Sequence, residues 1–203
     1  MFLNINPDRG FILDAEVAGF CFFVFLHTMV SHRFFIRFDF NGTGFHGWQV
    51  QPNALTVQQE MEEALSLLLG ERLLLTGAGR TDTGVHARNY IAHFETENGI
   101  EGKELSSLMS KLNRFLPPSI LIKEVFEVKP DVHARFSALS RTYRYYISRS
   151  KNPFSTEFSW IYTGSLDVRA MGEAAGILPE YHDFRCFSKT RTQTRTTECE
   201  VFE

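Results

Sequence analysis

The residues best equipped for chemistry lie between Gly77 and Ala87, where the sequence reads GAGRTDTGVHA. A carboxylate, Asp82, follows Arg80 by two positions, and Gly77, Gly79 and Gly84 let the backbone approach a ligand or take φ above zero. A guanidinium beside a carboxylate favours its ionised form, which is a nucleophile or a proton relay. Three familiar chemistries fail on the spelling. The dinucleotide fingerprint needs Gly where Asp82 stands, and the segment after the loop reads as a strand, not a helix. A phosphate loop framed by Gly79 and Gly84 needs Lys and then Ser or Thr, where Val85 and His86 stand. The DTG of Asp82, Thr83 and Gly84 spells an aspartic protease, but that chemistry shares one proton between two aspartates on an all-β fold, and Arg80 would keep Asp82 charged. The reading without chemistry is a surface turn in which Arg80 and Asp82 pair, worth about 1 kcal/mol or less.

The elements that must hold this loop follow from periodicity. Residues 33–40 are rich in Phe and Ile with partial alternation, a strand, and residues 41–47 supply turn chemistry. Thr56 with Gln59 has the shape of a capping box before Val57, Met61, Ala64, Leu65 and Leu68, an amphipathic helix ended by Gly70. Short strands at 72–76 and 90–94 flank the loop. A second helix carries Leu105, Leu108, Leu112 and Phe115 and stops at Pro117 and Pro118, before a strand at 120–128. The pattern then restarts: a strand at 140–148, a helix capped by Asp167 with Val168, Met171, Ala175 and Leu178, and the opening of a strand at 194–203. The fold class is α+β, with two ferredoxin-like halves of βαββαβ type forming a mixed, mainly antiparallel sheet. Helices are expected on one face and a cleft between the halves, the second of them incomplete. The expected organisation is a leader at 1–30, a first half at 31–130 carrying the loop, and the start of a second half at 131–203.

Composition agrees with a packed chain: 203 residues, 43% hydrophobic and 14% aromatic. A net charge of −3 gives no general basic excess, so a polyanion surface has to come from local clusters. Between Val132 and Thr156 stand Arg135, Arg141, Arg144, Arg149 and Lys151 with no acid, and between Phe184 and Thr197 stand Arg185, Lys189, Arg191 and Arg195, again with none. Such stretches can hold phosphates with steep salt dependence, or form a solvated charged face. Cys21, Cys186 and Cys199 show no CxxC spacing, which argues against a disulfide framework and a cysteine zinc site and makes a reducing cytoplasm the simplest home. His86, His133 and His182 are too scattered for a metal and suit structural hydrogen bonding. The apolar run at 17–26 is too short for a bilayer span and lacks a basic flank, so no membrane partner is expected. Met29, just before the first strand, reads as the natural initiator, with residues 1–28 foreign to the globular part.

Four ordered segments resemble the TruA family of tRNA pseudouridine synthases. Residues 77–87 are similar to its GRTDAGVHA signature, with Thr83 where the family usually has Ala. FHGWQVQ at 45–51 resembles its YxGWQxQ segment, HARFSALSRTYRY at 133–145 its third motif, and HDF at 182–184 a turn the family also has. The resemblance implies an enzyme that isomerises uridine at positions 38 to 40 of the tRNA anticodon arm. No cofactor or metal is needed, because no redox step or external group takes part. It assigns Asp82 as the catalytic carboxylate with Arg80 beside it, and Tyr143 as the stacking face for an extruded base. Arg135, Arg141, Arg144 and Lys189 are then candidate contacts to RNA, and Trp48 and Gln49 support packing beside the site. The resemblance further implies a cytoplasmic homodimer and a C-terminal extension of several dozen residues, so these 203 residues are expected to be an incomplete version of the active species. The alternative function is a non-catalytic RNA-binding protein on the same fold.

Overall fold

The structure is a computed structural model that describes residues 31–188 and 196–202. The predicted leader at 1–30, Cys21 within it, Lys189, Arg191 and Arg195 lie outside the described residues. The chain divides into two compact units between Thr142 and Tyr143.

The centre of the first unit is strand β1, His32–Phe40, in which Phe34, Ile36, Phe38 and Phe40 are buried while the intervening residues stay half-exposed. That alternation places one face of the strand in a core. β1 pairs antiparallel with β3, Ala87–Thr96, setting Phe34 opposite Phe94 and Phe38 opposite Tyr90. On its other side it pairs antiparallel with β4, Ile120–Val128, with Ile36 opposite Val125. A two-residue strand β2, Thr76–Gly77, adds to the outer edge of β3, giving the order β2-β3-β1-β4. Helix α1, Val57–Leu69, connects β1 to β2, and helix α2, Lys103–Phe115, connects β3 to β4. The α+β class read from the sequence is the one observed.

Helix α1 starts where Thr56 accepts the amide of Gln59 on its hydroxyl at 3.3 Å and ends at Gly70, whose φ of +73° few other residues adopt without strain. The Gln59 side chain reaches forward to Glu63 at 2.8 Å, so the cap is not the reciprocal box. Val57, Met61, Ala64 and Leu65 of α1 share one core with Leu108 and Leu112 of α2 and the buried face of β1. Each such side chain taken from water contributes about 1.5–3 kcal/mol. Phe115, expected on the buried stripe of α2, is its last residue and is 54% exposed, the apolar contact passing to buried Leu116 just beyond. Asn113 locks α2 onto β4, donating to the Ile122 carbonyl at 2.9 Å and accepting its amide at 2.7 Å.

The strand expected at 72–76 is reduced to Thr76–Gly77. Leu73 and Leu75 are buried as a strand would have them, but their backbone is held by side chains of α1. The amides donate to Ser66 Oγ at 2.9 Å and to Glu62 Oε1 at 2.8 Å, and the Leu75 carbonyl accepts from Gln58 Nε2 at 3.0 Å. With these groups satisfied, no ladder is needed.

The opposite face of the sheet receives the segment after β4. Arg33 donates to the Val132 carbonyl at 2.9 Å, the Ala134 amide donates to His93 Nδ1 at 3.2 Å, and Ala134 is buried. The rings of His93 and His133 meet edge-on at 4.6 Å and those of His133 and Phe136 lie tilted at 4.5 Å, so a chain of ring contacts runs from β3 to exposed Phe136.

In the second unit, Tyr143–Glu203, the strand expected at 140–148 shortens to β5, Ile147–Ser148, which pairs in parallel with β6, Trp160–Ile161. Asp167 caps helix α3, Val168–Ala175, by accepting the Ala170 amide at 2.9 Å, as its position predicts. α3 buries none of its residues: Val168 is 73% exposed and Met171 50%. The strand opening expected at 194–203 amounts, among the described residues, to a bridge between Glu198 and Asp183. Strand pairing is non-local, and a segment with β-pattern but no neighbouring strand stays irregular. No helix among the described residues is long and apolar enough to cross a membrane.

Candidate active site

The Gly-rich loop is a turn anchored at several points, with Asp82 exposed at its tip. It leaves β2 with the Ala78 amide donating to the Ile91 carbonyl at 2.8 Å. The Tyr90 hydroxyl then donates to the Gly79 carbonyl and lies 3.4 Å from the Gly79 amide as acceptor. Further on, the Thr81 carbonyl accepts from the Trp48 amide at 3.2 Å, the Val85 amide closes a turn onto the Asp82 carbonyl at 3.2 Å, and the Gly84 amide donates to Phe45 at 3.2 Å. Past the turn, His86 Nδ1 accepts the Gly42 amide at 3.1 Å. The backbone on both sides of Asp82 is therefore fixed.

The partner of this loop is the segment FHGWQVQ, itself held by helix α1. The amides of Val57 and Gln58, in the first turn of α1 where N–H groups have no partner within the helix, donate to the carbonyls of Gly47 at 3.2 Å and Trp48 at 3.0 Å. Two glycines are required by this close approach. Gly47 has φ of +83°, and a Cβ there would stand 2.3 Å from the Thr81 carbonyl oxygen. A Cβ on Gly77 would stand 2.3 Å from the Tyr90 hydroxyl and 2.6 Å from the Trp48 ring. The Trp48 ring lies 4.7 Å from that of Tyr90 and 6.0 Å from that of Phe38, so an aromatic cluster forms the floor of the loop. The packing role read for Trp48 is what this geometry supports. Thr81 carries a buried hydroxyl that finds no hydrogen-bond partner among the described residues.

Arg141 reaches the loop from outside. Its Nη2 donates to the Ala78 carbonyl at 2.8 Å and to the Arg135 carbonyl at 2.7 Å. The Arg135 guanidinium lies 5.6 Å from the centroid of the Phe136 ring, a cation–π arrangement. The segment that carries Arg135 is fixed by two neutral histidines. His93 accepts the Ala134 amide on Nδ1, and His133 accepts those of Arg135 at 3.1 Å and Phe136 at 3.4 Å on its own Nδ1. Burial, then the neighbouring His133 and Arg33, pushes His93 down to about 4. Burial, then Arg33 and Arg135, lowers His133 as well.

Of the sequence-predicted site residues, the structure gathers Arg80, Asp82, Arg135 and Arg141 in the first unit, on the loop and the segment tied to it. Tyr143 and Arg144 fall in the second unit, both exposed. Within that unit the HDF turn is fixed by Asp183, which accepts from Arg185 and from the Thr197 hydroxyl at 2.7 Å, and Arg185 first among these holds its carboxyl down to about 2. No cluster of three or more His, Cys, Asp or Glu side chains able to hold a metal occurs among the described residues. Sequence reasoning missed Tyr90 as a loop anchor and His93 as the seat of the 132–137 segment; both sit inside a strand, where alternation marks position but not role.

This arrangement presents an exposed carboxylate, two residues after Arg80 in the sequence, on a backbone hydrogen-bonded on both sides. Such preorganisation is what a positioned nucleophile or proton relay requires. The sequence is similar to curated proteins across most of its length. It is 47% identical to tRNA pseudouridine synthase A of Parabacteroides distasonis over 169 residues, which cover 83% of this chain and 66% of that protein. Identity is 44% with tRNA pseudouridine synthase A of Porphyromonas gingivalis over 171 residues (84% and 68%) and 43% with that of Bacteroides fragilis over 173 residues (85% and 68%). The chain thus spans about two thirds of the length of the curated relatives it matches. No family profile matches it.

Proposed function

Since the chain belongs to the tRNA pseudouridine synthase A family, we propose that it converts uridine to pseudouridine in tRNA, with Asp82 as the catalytic carboxylate and Arg80 beside it. The observation that carries this reading is the loop itself: Asp82 is exposed while the backbone before and after it is bound to Tyr90, Trp48 and Phe45. The reaction breaks the N1–C1′ bond, turns the base and forms a C5–C1′ bond; C5 loses a proton and N1 gains one. Atoms balance without redox or an external group. An ionised carboxylate serves this as nucleophile or as proton relay.

The finer points of the reading rest on the family resemblance. The target is a uridine at positions 38 to 40 of the anticodon arm, and Tyr143 offers the extruded uracil a stacking face that offsets part of the unstacking cost. Arg135, Arg144 and Lys189 supply phosphate contacts. The second unit belongs to a second ferredoxin-like half, and the working species is a cytoplasmic homodimer.

Release of tritium from tRNA carrying [5-³H]uridine tests the activity, and mapping the product tests the position. Release from unmodified tRNA, abolished when uridines 38 to 40 are replaced by cytidine, is the expected result. Binding of tRNA with no release would identify an RNA-binding protein, and release from another arm would overturn the anticodon assignment.

A further inference from the structure

Charge alone assigns Arg141 to the RNA, since it is exposed within a stretch that holds five basic residues and no acid. Its hydrogen bonds lead elsewhere. One nitrogen, Nη2, serves two backbone carbonyls, Ala78 at 2.8 Å and Arg135 at 2.7 Å. Bonds from a guanidinium are roughly twice as strong as those between neutral groups. Ala78 lies four residues before Asp82, and its amide is already held from the strand side by Ile91 at 2.8 Å. Arg135 belongs to the segment seated on the sheet through His93 and Arg33. Arg141 therefore ties the outer edge of the loop to a segment fixed on β1 and β3, while Tyr90 and Ile91 hold the inner edge.

We infer that Arg141 is a positioning residue, a clamp that fixes the loop carrying Asp82 through the carbonyls of Ala78 and Arg135. The inference rests on the reading of Asp82 as the catalytic carboxylate. A carboxylate displaced by about 1 Å loses on the order of a hundredfold in rate, whereas substrate affinity set by other contacts does not change. The clamp thus acts on kcat. A phosphate contact would act on KM and on the salt dependence of binding.

The test compares Arg141→Met and Arg141→Lys with the wild type in the complete chain, reading amide hydrogen exchange at residues 78–85 together with kcat and KM for tritium release from tRNA. In Arg141→Met the loop amides exchange at least about tenfold faster while those of β1 and β4 are unchanged. Its kcat falls on the order of 10- to 100-fold with KM little altered, and Arg141→Lys, which keeps a donor, recovers part of kcat. Unchanged loop exchange, or a raised KM at constant kcat, overturns the proposal. If the wild type releases no tritium from any tRNA, the functional reading fails, and loop exchange decides the clamp by itself.

Discussion

Acid should loosen the seat of the segment that backs the Asp82 loop, and His93 sets the size of the effect. This ring is 6% exposed, accepts the Ala134 amide on Nδ1 at 3.2 Å, and so is neutral with its proton on Nε2. Burial, followed by His133 and Arg33 and opposed by Glu95, lowers it from an ordinary 6.5 to about 4. Because the folded value lies below the unfolded one, the unfolded chain takes up the proton first as pH falls. The stability from His93 is complete above about pH 6.5 and is lost as pH drops towards 4. At about 1.4 kcal/mol per pH unit the full effect is about 3 kcal/mol, of which about 2 kcal/mol is lost between pH 7 and 5. His133, lowered too, acts with the same sign. The perturbation is His93→Asn, whose amide oxygen can take the place of Nδ1 as acceptor without titrating. Urea unfolding of wild type and variant at pH 7 and pH 5 isolates the contribution. The wild type is expected to lose about 2 kcal/mol more than the variant over that interval. Equal losses would refute the argument that a buried neutral imidazole holds the 132–137 segment.

Gly77→Ala would force a Cβ to 2.3 Å from the Tyr90 hydroxyl and 2.6 Å from Trp48, so a destabilisation of about 1–3 kcal/mol and a fall of several degrees in Tm are expected by calorimetry. An unchanged Tm would show that the aromatic floor can yield. Thr81→Val removes a buried hydroxyl that has no partner among the described residues and keeps the shape, so Tm should hold or rise by the equivalent of up to about 1–3 kcal/mol. A lower Tm would mean that the hydroxyl is bonded in solution.

The parts legible in the sequence are those whose cause is local. β1 declares itself by alternating Phe and Ile, α1 by Thr56, helical spacing and Gly70, and α2 by its leucines and the two prolines. The 72–76 segment misleads because Leu73 and Leu75 have a strand's burial while their backbone partners are Ser66, Glu62 and Gln58, side chains on a helix that one-dimensional pattern cannot relate to them. The 140–148 segment has β composition, yet strand length depends on a neighbour distant in sequence, and it pairs only at Ile147 and Ser148. At the site, Asp82 and its glycines are visible because spelling and spacing carry the information. Arg141 shows the limit: its type and its basic surroundings point to RNA, but only three-dimensional contacts reveal that its guanidinium is engaged by Ala78 and Arg135. Tyr90 and His93 are hidden for the same reason, since a strand residue is assigned to a face long before its polar atom is assigned to a partner.

Asp82→Asn, assayed for tritium release from [5-³H]uridine tRNA and for tRNA binding, tests the central claim most directly. The substitution keeps size and leaves the backbone anchors of the loop in place, removing only the charge and the lone pair that the chemistry uses. The expected result is wild-type affinity and thermal stability with release lost by several orders of magnitude. Release at the wild-type rate would contradict the account and move the chemistry away from this loop.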